Sequence, residues 1–171
     1  MSDDFKSKLG LLLDQFDQRG QIVDERTKQE DEAQSQFLAA FLVARKEIIR
    51  PTFENIGATL KQRGHDFRVT QQEHGAEDAG KMRSAKVTLY FFPAGYKCPQ
   101  HANEWEHSYP CLSFSASLSD KKIHVLYSTK LPDSDGRTAP GGDYELAQID
   151  RSLVESRVLG LFQQVIGALK M

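Results

Sequence analysis

The chain has no uninterrupted apolar run near the roughly 18 residues that a membrane-spanning helix requires, so a transmembrane helix is excluded from its expected elements. Cysteine is scarce, with two in 171 residues, so no disulfide framework carries the fold. A chain of this length buries enough apolar surface to need neither staple nor structural metal. A large excess of charge of either sign is missing as well. A net charge of -2 and a pI near 6.2 give no general attraction for a polyanion, which disfavours sequence-independent binding to nucleic acid or an acidic membrane. There is no phosphate-cradling G-x-x-x-x-G-K-[ST] loop, no dinucleotide fingerprint and no glycine-rich elbow to present a nucleophile.

The first residues, MSDDFKSKLGLLLDQF, place acids before the first lysine and contain no apolar run ending in a small-residue cleavage site. No secretory signal is expected, and the expected compartment is the cytoplasm, where cysteines stay reduced.

What is present is a change of period along the chain. Phe5, Leu9, Leu12, Leu13 and Phe16 recur at three- and four-residue spacings, the signature of one face of an amphipathic helix. Gly20 is expected to weaken or end it. Residues 24–36, DERTKQEDEAQSQ, combine good helix formers with almost nothing apolar and read as a solvated helix. The apolar pattern resumes at Phe37, Leu38, Phe41, Leu42, Ile48 and Ile49, then continues after Pro51 with Phe53, Ile56 and Leu60. Proline removes a donor and restricts the residue before it, so a kink or new start is expected near Pro51, with Gly64 as the stop.

Beyond Gly64 the period falls to two. HDFRVT, AKVTLYFF, CLSFSASLS and KKIHVLY alternate apolar and polar residues and read as strands, joined through an exposed turn at EHGAEDAGKMRS and a tight one at Ser119-Asp120. One apolar and one polar face per strand predicts an antiparallel sheet covered on one side. STKLPDSDGRTAPGGD reads as a long loop, and Lys121, Lys122 and His124 as a small basic edge that discourages sheet-to-sheet pairing. Asp133, Asp135 and Gly136 match part of a calcium loop, but the other ligands and closing glutamate are missing, so a turn is expected. At the end, Asp150 is placed as an N-cap with Ile149 and Val154 as a hydrophobic staple. Leu153, Val158, Leu161, Phe162, Val165, Ile166 and Leu169 give the following helix an apolar face.

The expected architecture is α+β in one domain, residues 1–171: long N-terminal helices, a four- to five-stranded mostly antiparallel sheet and a C-terminal helix packed on one face. Within it, 1–36 form an amphipathic and solvated helical arm, 37–63 a helix kinked near 51, 64–149 the sheet and 150–171 the last helix.

Soft-ligand chemistry concentrates in CPQHANEWEHSYPC, where Cys98, His101, His107 and Cys111 make two chelating pairs that could meet on a tetrahedral zinc. The ligand order differs from a zinc knuckle, no glycine lies between the cysteines, and Glu104 and Glu106 stand where a nucleic-acid-binding knuckle wants bases. Cys111 also shares a strand face with Ser113. The plainer reading is two unrelated cysteines and two loop histidines, with no cofactor. A Cys/His nucleophile pair or a reversible disulfide are further readings, each lacking supporting residues.

The functional expectation is therefore a non-catalytic cytoplasmic interaction protein, an adaptor or chaperone-like homodimer. It would bind a protein partner or itself through Phe5, Leu9, Leu12, Leu13 and Phe16 and through the serine face of the sheet. The spacing 5, 9, 12, 16 suits a heptad seam, but the seam fails at Arg19, Arg26 and Glu30, so a long coiled coil is not supported. Packing of the stripe on the protein's own sheet is the competing reading. Small size, acidity and α+β pattern resemble those of bacterial chaperones for secreted proteins, a likeness of class without a shared motif. Two alternatives are a zinc-binding regulator or enzyme centred on the 98–111 loop, and a small-ligand binder with residues 128–143 as a lid.

Overall fold

The long apolar-then-polar period at the start of the chain becomes one helix, α1, Asp3–Ala44, in the computed structural model, which describes residues 2–77, 80–96, 108–134 and 136–169. The chain divides into two compact units, Met1–Gln36 and Phe37–Met171. The first is helical from Asp3 onward, and its only half-buried positions among the described residues are Gly10, Ala33 and Gln34. The helix passes through Gly20, where an interruption was expected. An interior glycine costs only about 1 kcal/mol, which the surrounding helix formers offset.

In the second unit α1 is followed without a break by a π turn, Arg45–Ile49, and by α2, Arg50–Gln62. Pro51 has no N–H to donate, and its ring would crowd the carbonyl one turn back. The chain stays helical by widening the turn just before it, with the Arg50 N–H donating to the Arg45 carbonyl. Thr52 Oγ1 adds a donor to the Ile48 carbonyl at 2.6 Å. The helix ends in a Schellman motif: Gly64, at φ +84°, donates to Lys61 O and His65 to Leu60 O.

Five antiparallel strands follow in the order β1-β4-β5-β6-β7: β1, Asp66–Gln72; β4, Lys86–Phe92; β5, Cys111–Ser117; β6, Lys122–Ser128; β7, Thr138–Tyr144. A small pair, β2 (Gly75–Ala76) with β3 (Met82–Arg83), is inserted between β1 and β4 where an exposed turn was expected. β7 occupies the second half of the expected 128–143 loop, so that stretch is not a free lid. Its Pro140 and glycines argue against a strand, yet β7 lies at the sheet edge, where a missing donor is tolerated, and a bulge opposite Val125/Leu126 accommodates the extra residue. β6 is consequently interior, and Lys122 and His124 do not form an edge.

The core lies on one face of the sheet. Phe41, Ile49 and Phe53 from the helical course meet Val87, Leu89, Leu112, Phe114, Ile123 and Val125, and α3, Arg151–Ala168, adds Val154, Val158, Leu161 and Val165. Asp150 caps α3 by accepting from the Leu153 N–H at 2.8 Å, with Ile149 and Val154 both buried beside it. The other face is not wholly bare. Tyr90, Phe92 and Tyr109 form a second cluster there, with the Phe92 and Tyr109 rings edge to face at 4.8 Å.

The Phe67 ring lies directly against Gly57 of α2, in the space a Cβ would fill. Gly57→Ala is therefore expected to cost about 1–3 kcal/mol in urea unfolding. At Gly20 an added Cβ meets nothing, so Gly20→Ala should be neutral or stabilising by up to about 1 kcal/mol. Equal responses at the two positions would contradict this packing.

Candidate functional site

Strand register brings the outward residues of all five strands into rows. Arg68, Tyr90, Cys111, Ser128 and Thr138 form one row; Thr70, Thr88, Ser113, Leu126 and Pro140 form the next. Gln72, Lys86, Ser115, His124 and Asp143 form a third, with adjacent rows about 7 Å apart along the strands. Over the first two rows and the Lys86 end of the third lies an open cavity of about 540 Å³, within the usual size range of small-molecule sites. Its floor includes Tyr90, Cys111 and Ser113, and Arg83, Lys86 and Lys130 line it as well. Lys130 is carried by the β6–β7 connection, which is held shut where the Thr129 N–H donates to Arg137 O at 3.0 Å.

Electrostatically the cavity is one-sided. Among the described residues its one carboxylate is Glu73, and that group is held by Arg45 at 2.6 Å. Arg83, Lys86 and Lys130 have no ion-pair partner among the described residues. Toward the far end of the polar face, His124 Nε2 lies 2.8 Å from Asp120 and 3.8 Å from Asp143. Hydrogen bonds from Ser117 and then His124 hold the Asp120 carboxyl down at about 2.

The residues singled out from sequence are distributed as follows. Phe5, Leu9, Leu12, Leu13 and Phe16 all lie on α1 in the first unit and are all exposed. Cys98, His101 and His107 lie outside the described residues. Among the described residues no three His, Cys, Asp or Glu side chains are grouped to hold a metal. Cys111 sits on the polar face, as alternation requires, but half-buried beside Tyr90. Burial pushes its thiol up to about 11, against smaller lowering effects of a Ser128 backbone hydrogen bond and the Lys86 ammonium. It is a neutral thiol at pH 7, the opposite of an activated nucleophile. Asp133 stands in a turn and accepts from the Tyr96 hydroxyl at 2.8 Å; Asp135 lies outside the described residues.

No protein-family model matches the chain, and no curated protein or solved structure is detectably similar to it. The site rests on its own chemistry. Arg83, Lys86 and Lys130 were not singled out from sequence. The available signal was that Lys86, Thr88 and Tyr90 are the outward positions of one strand. Which neighbours they meet depends on pairing, which alternation alone does not set.

The raised thiol has two consequences at one residue. In a Cys98→Ser variant, alkylation of Cys111 by iodoacetamide should be slow at pH 7 and accelerate toward pH 11. The folded state favours the neutral thiol, so the Cys111 contribution to stability is complete below the ordinary value of 9.0 and is lost as pH rises through about 11. Rapid alkylation at pH 7 would contradict the burial.

Proposed function

We propose that this chain is a non-catalytic, cytoplasmic interaction protein, adaptor- or chaperone-like, that works as a homodimer through the apolar stripe of α1. The observation that supports this reading is the exposure of that stripe: Phe5, Leu9, Leu12, Leu13 and Phe16 are 39% to 74% exposed, and Leu11, Ile22 and Val23 are exposed as well. Each such side chain left in water forgoes about 1.5–3 kcal/mol of burial. Most of a helix's stability in a protein comes from packing its amphipathic face, which this stretch of α1 does not do within its own unit. A partner helix answers both deficits.

A second copy is the occupant we favour. The 5, 9, 12, 16 spacing, taken up again by Val23, is a seam that packs against another helix of the same period. Arg19 interrupts it, so the contact is short and its affinity modest. No described helix is long and apolar enough to cross a membrane, so the stripe is not a spanning segment.

Sedimentation velocity over a concentration series tests the proposal. The wild-type chain should pass reversibly from monomer to dimer. A Leu9→Asp/Phe16→Asp variant should stay monomeric while keeping the wild-type near-UV circular dichroism of the core, because both side chains are exposed and lie outside Phe37–Met171. A wild-type chain that stays monomeric throughout overturns the reading.

A further inference from the structure

The cavity over the serine face is built to donate. Three of its bordering side chains are cations: Lys86, which stands near the Cys111 thiol, Lys130, and Arg83 at the open rim. The hydroxyls between them are also left with hydrogens to give. Thr88, 2% exposed, has its hydroxyl 2.7 Å from Ser113 Oγ. When the buried Thr88 donates, Ser113 accepts, and the Ser113 hydrogen is left for the cavity it lines. Ser128 Oγ accepts the Lys130 N–H at 3.3 Å, and its own hydrogen is likewise left over. The acceptor that would otherwise balance these donors, the Glu73 carboxylate, is engaged by Arg45, whose guanidinium is almost fully buried.

A half-enclosed site with surplus donors and positive charge left uncompensated among the described residues is complementary to an anion rich in acceptor oxygens. Its apolar and soft side chains among the described residues are the Tyr90 ring, Leu126 and the Cys111 thiol, which can contact a small organic skeleton. We propose that the polar face of the sheet binds a small organic molecule bearing phosphate or carboxylate groups, with Lys86 and Lys130 meeting its charge and Ser113 and Ser128 donating to its oxygens. The site lies wholly within Phe37–Met171, so it stands or falls independently of dimer formation through α1.

The full-length protein is titrated with pyrophosphate and, separately, with citrate. Binding is read by amide chemical shifts and by thermal unfolding, against sodium chloride of matched ionic strength. The expected result is saturable movement of the Ser113 and Ser128 amides with at least one of the two anions. A rise in Tm beyond the salt control should accompany it. Lys86→Gln and Lys130→Gln should each weaken that binding about tenfold or more. Lys28→Gln, which removes the same charge from the other unit, should leave it unchanged. Two variants are used so that a folding defect in one does not decide the outcome. A response to pyrophosphate alone assigns the site to phosphates, and a response to citrate alone to carboxylates. No saturable response to either anion overturns the proposal, as does equal binding by wild type and both cavity variants.

Discussion

Arg45 places a guanidinium where only 7% of the residue is exposed and directs it at three acceptors: Gln72 O at 3.1 Å, Lys86 O at 3.5 Å and the Glu73 carboxylate at 2.6 Å. A buried charge is tolerable only when its donors are satisfied, so this contact fixes the π turn against the end of β1 and the start of β4. The π turn itself follows from Pro51. Phe53 and Gly57 then face the sheet because the helical course continues beyond that turn without breaking. Helix, sheet end and the Glu73 charge are thus set by one side chain.

The same contact shapes the chemistry of the opposite face. By engaging Glu73, Arg45 withdraws the carboxylate that would otherwise balance the lysines of the cavity. An ion pair from the helical course to the cavity's Glu73 therefore leaves a surplus of donors on the serine side. The Ser128 hydroxyl accepts the Lys130 N–H and keeps a hydrogen to donate, and the Ser113 hydroxyl does the same when Thr88 is the donor of the hydrogen bond they share.

Most of the fold was legible because periodicity reports burial directly. The alternations at Phe67/Val69, Val87/Leu89/Phe91, Leu112/Phe114/Ala116 and Ile123/Val125 identified four of the five main strands, and Asp150 marked the start of α3. β7 was not legible, since a proline and two glycines signal a loop unless the strand is known to be at an edge. Gly20 misled for a related reason: propensity describes a small local cost and cannot see the helix on either side. The cavity was the least legible feature. Lys86, Ser113 and Ser128 are far apart in sequence and meet only through register, and Lys130 reaches them from a connecting turn. Cys111 was placed on the correct face, but the burial that keeps its thiol neutral comes from its neighbours.

Residues 37–62 of the helical course are held by the sheet and its core, and the proposed dimer would hold residues 5–23 by a second copy. Amide hydrogen exchange measured at several protein concentrations tests this division most directly. Protection in 5–23 should rise with concentration, while protection in 41–60 stays high and constant, because the first depends on association and the second on the core. Protection in 5–23 that is independent of concentration would contradict it.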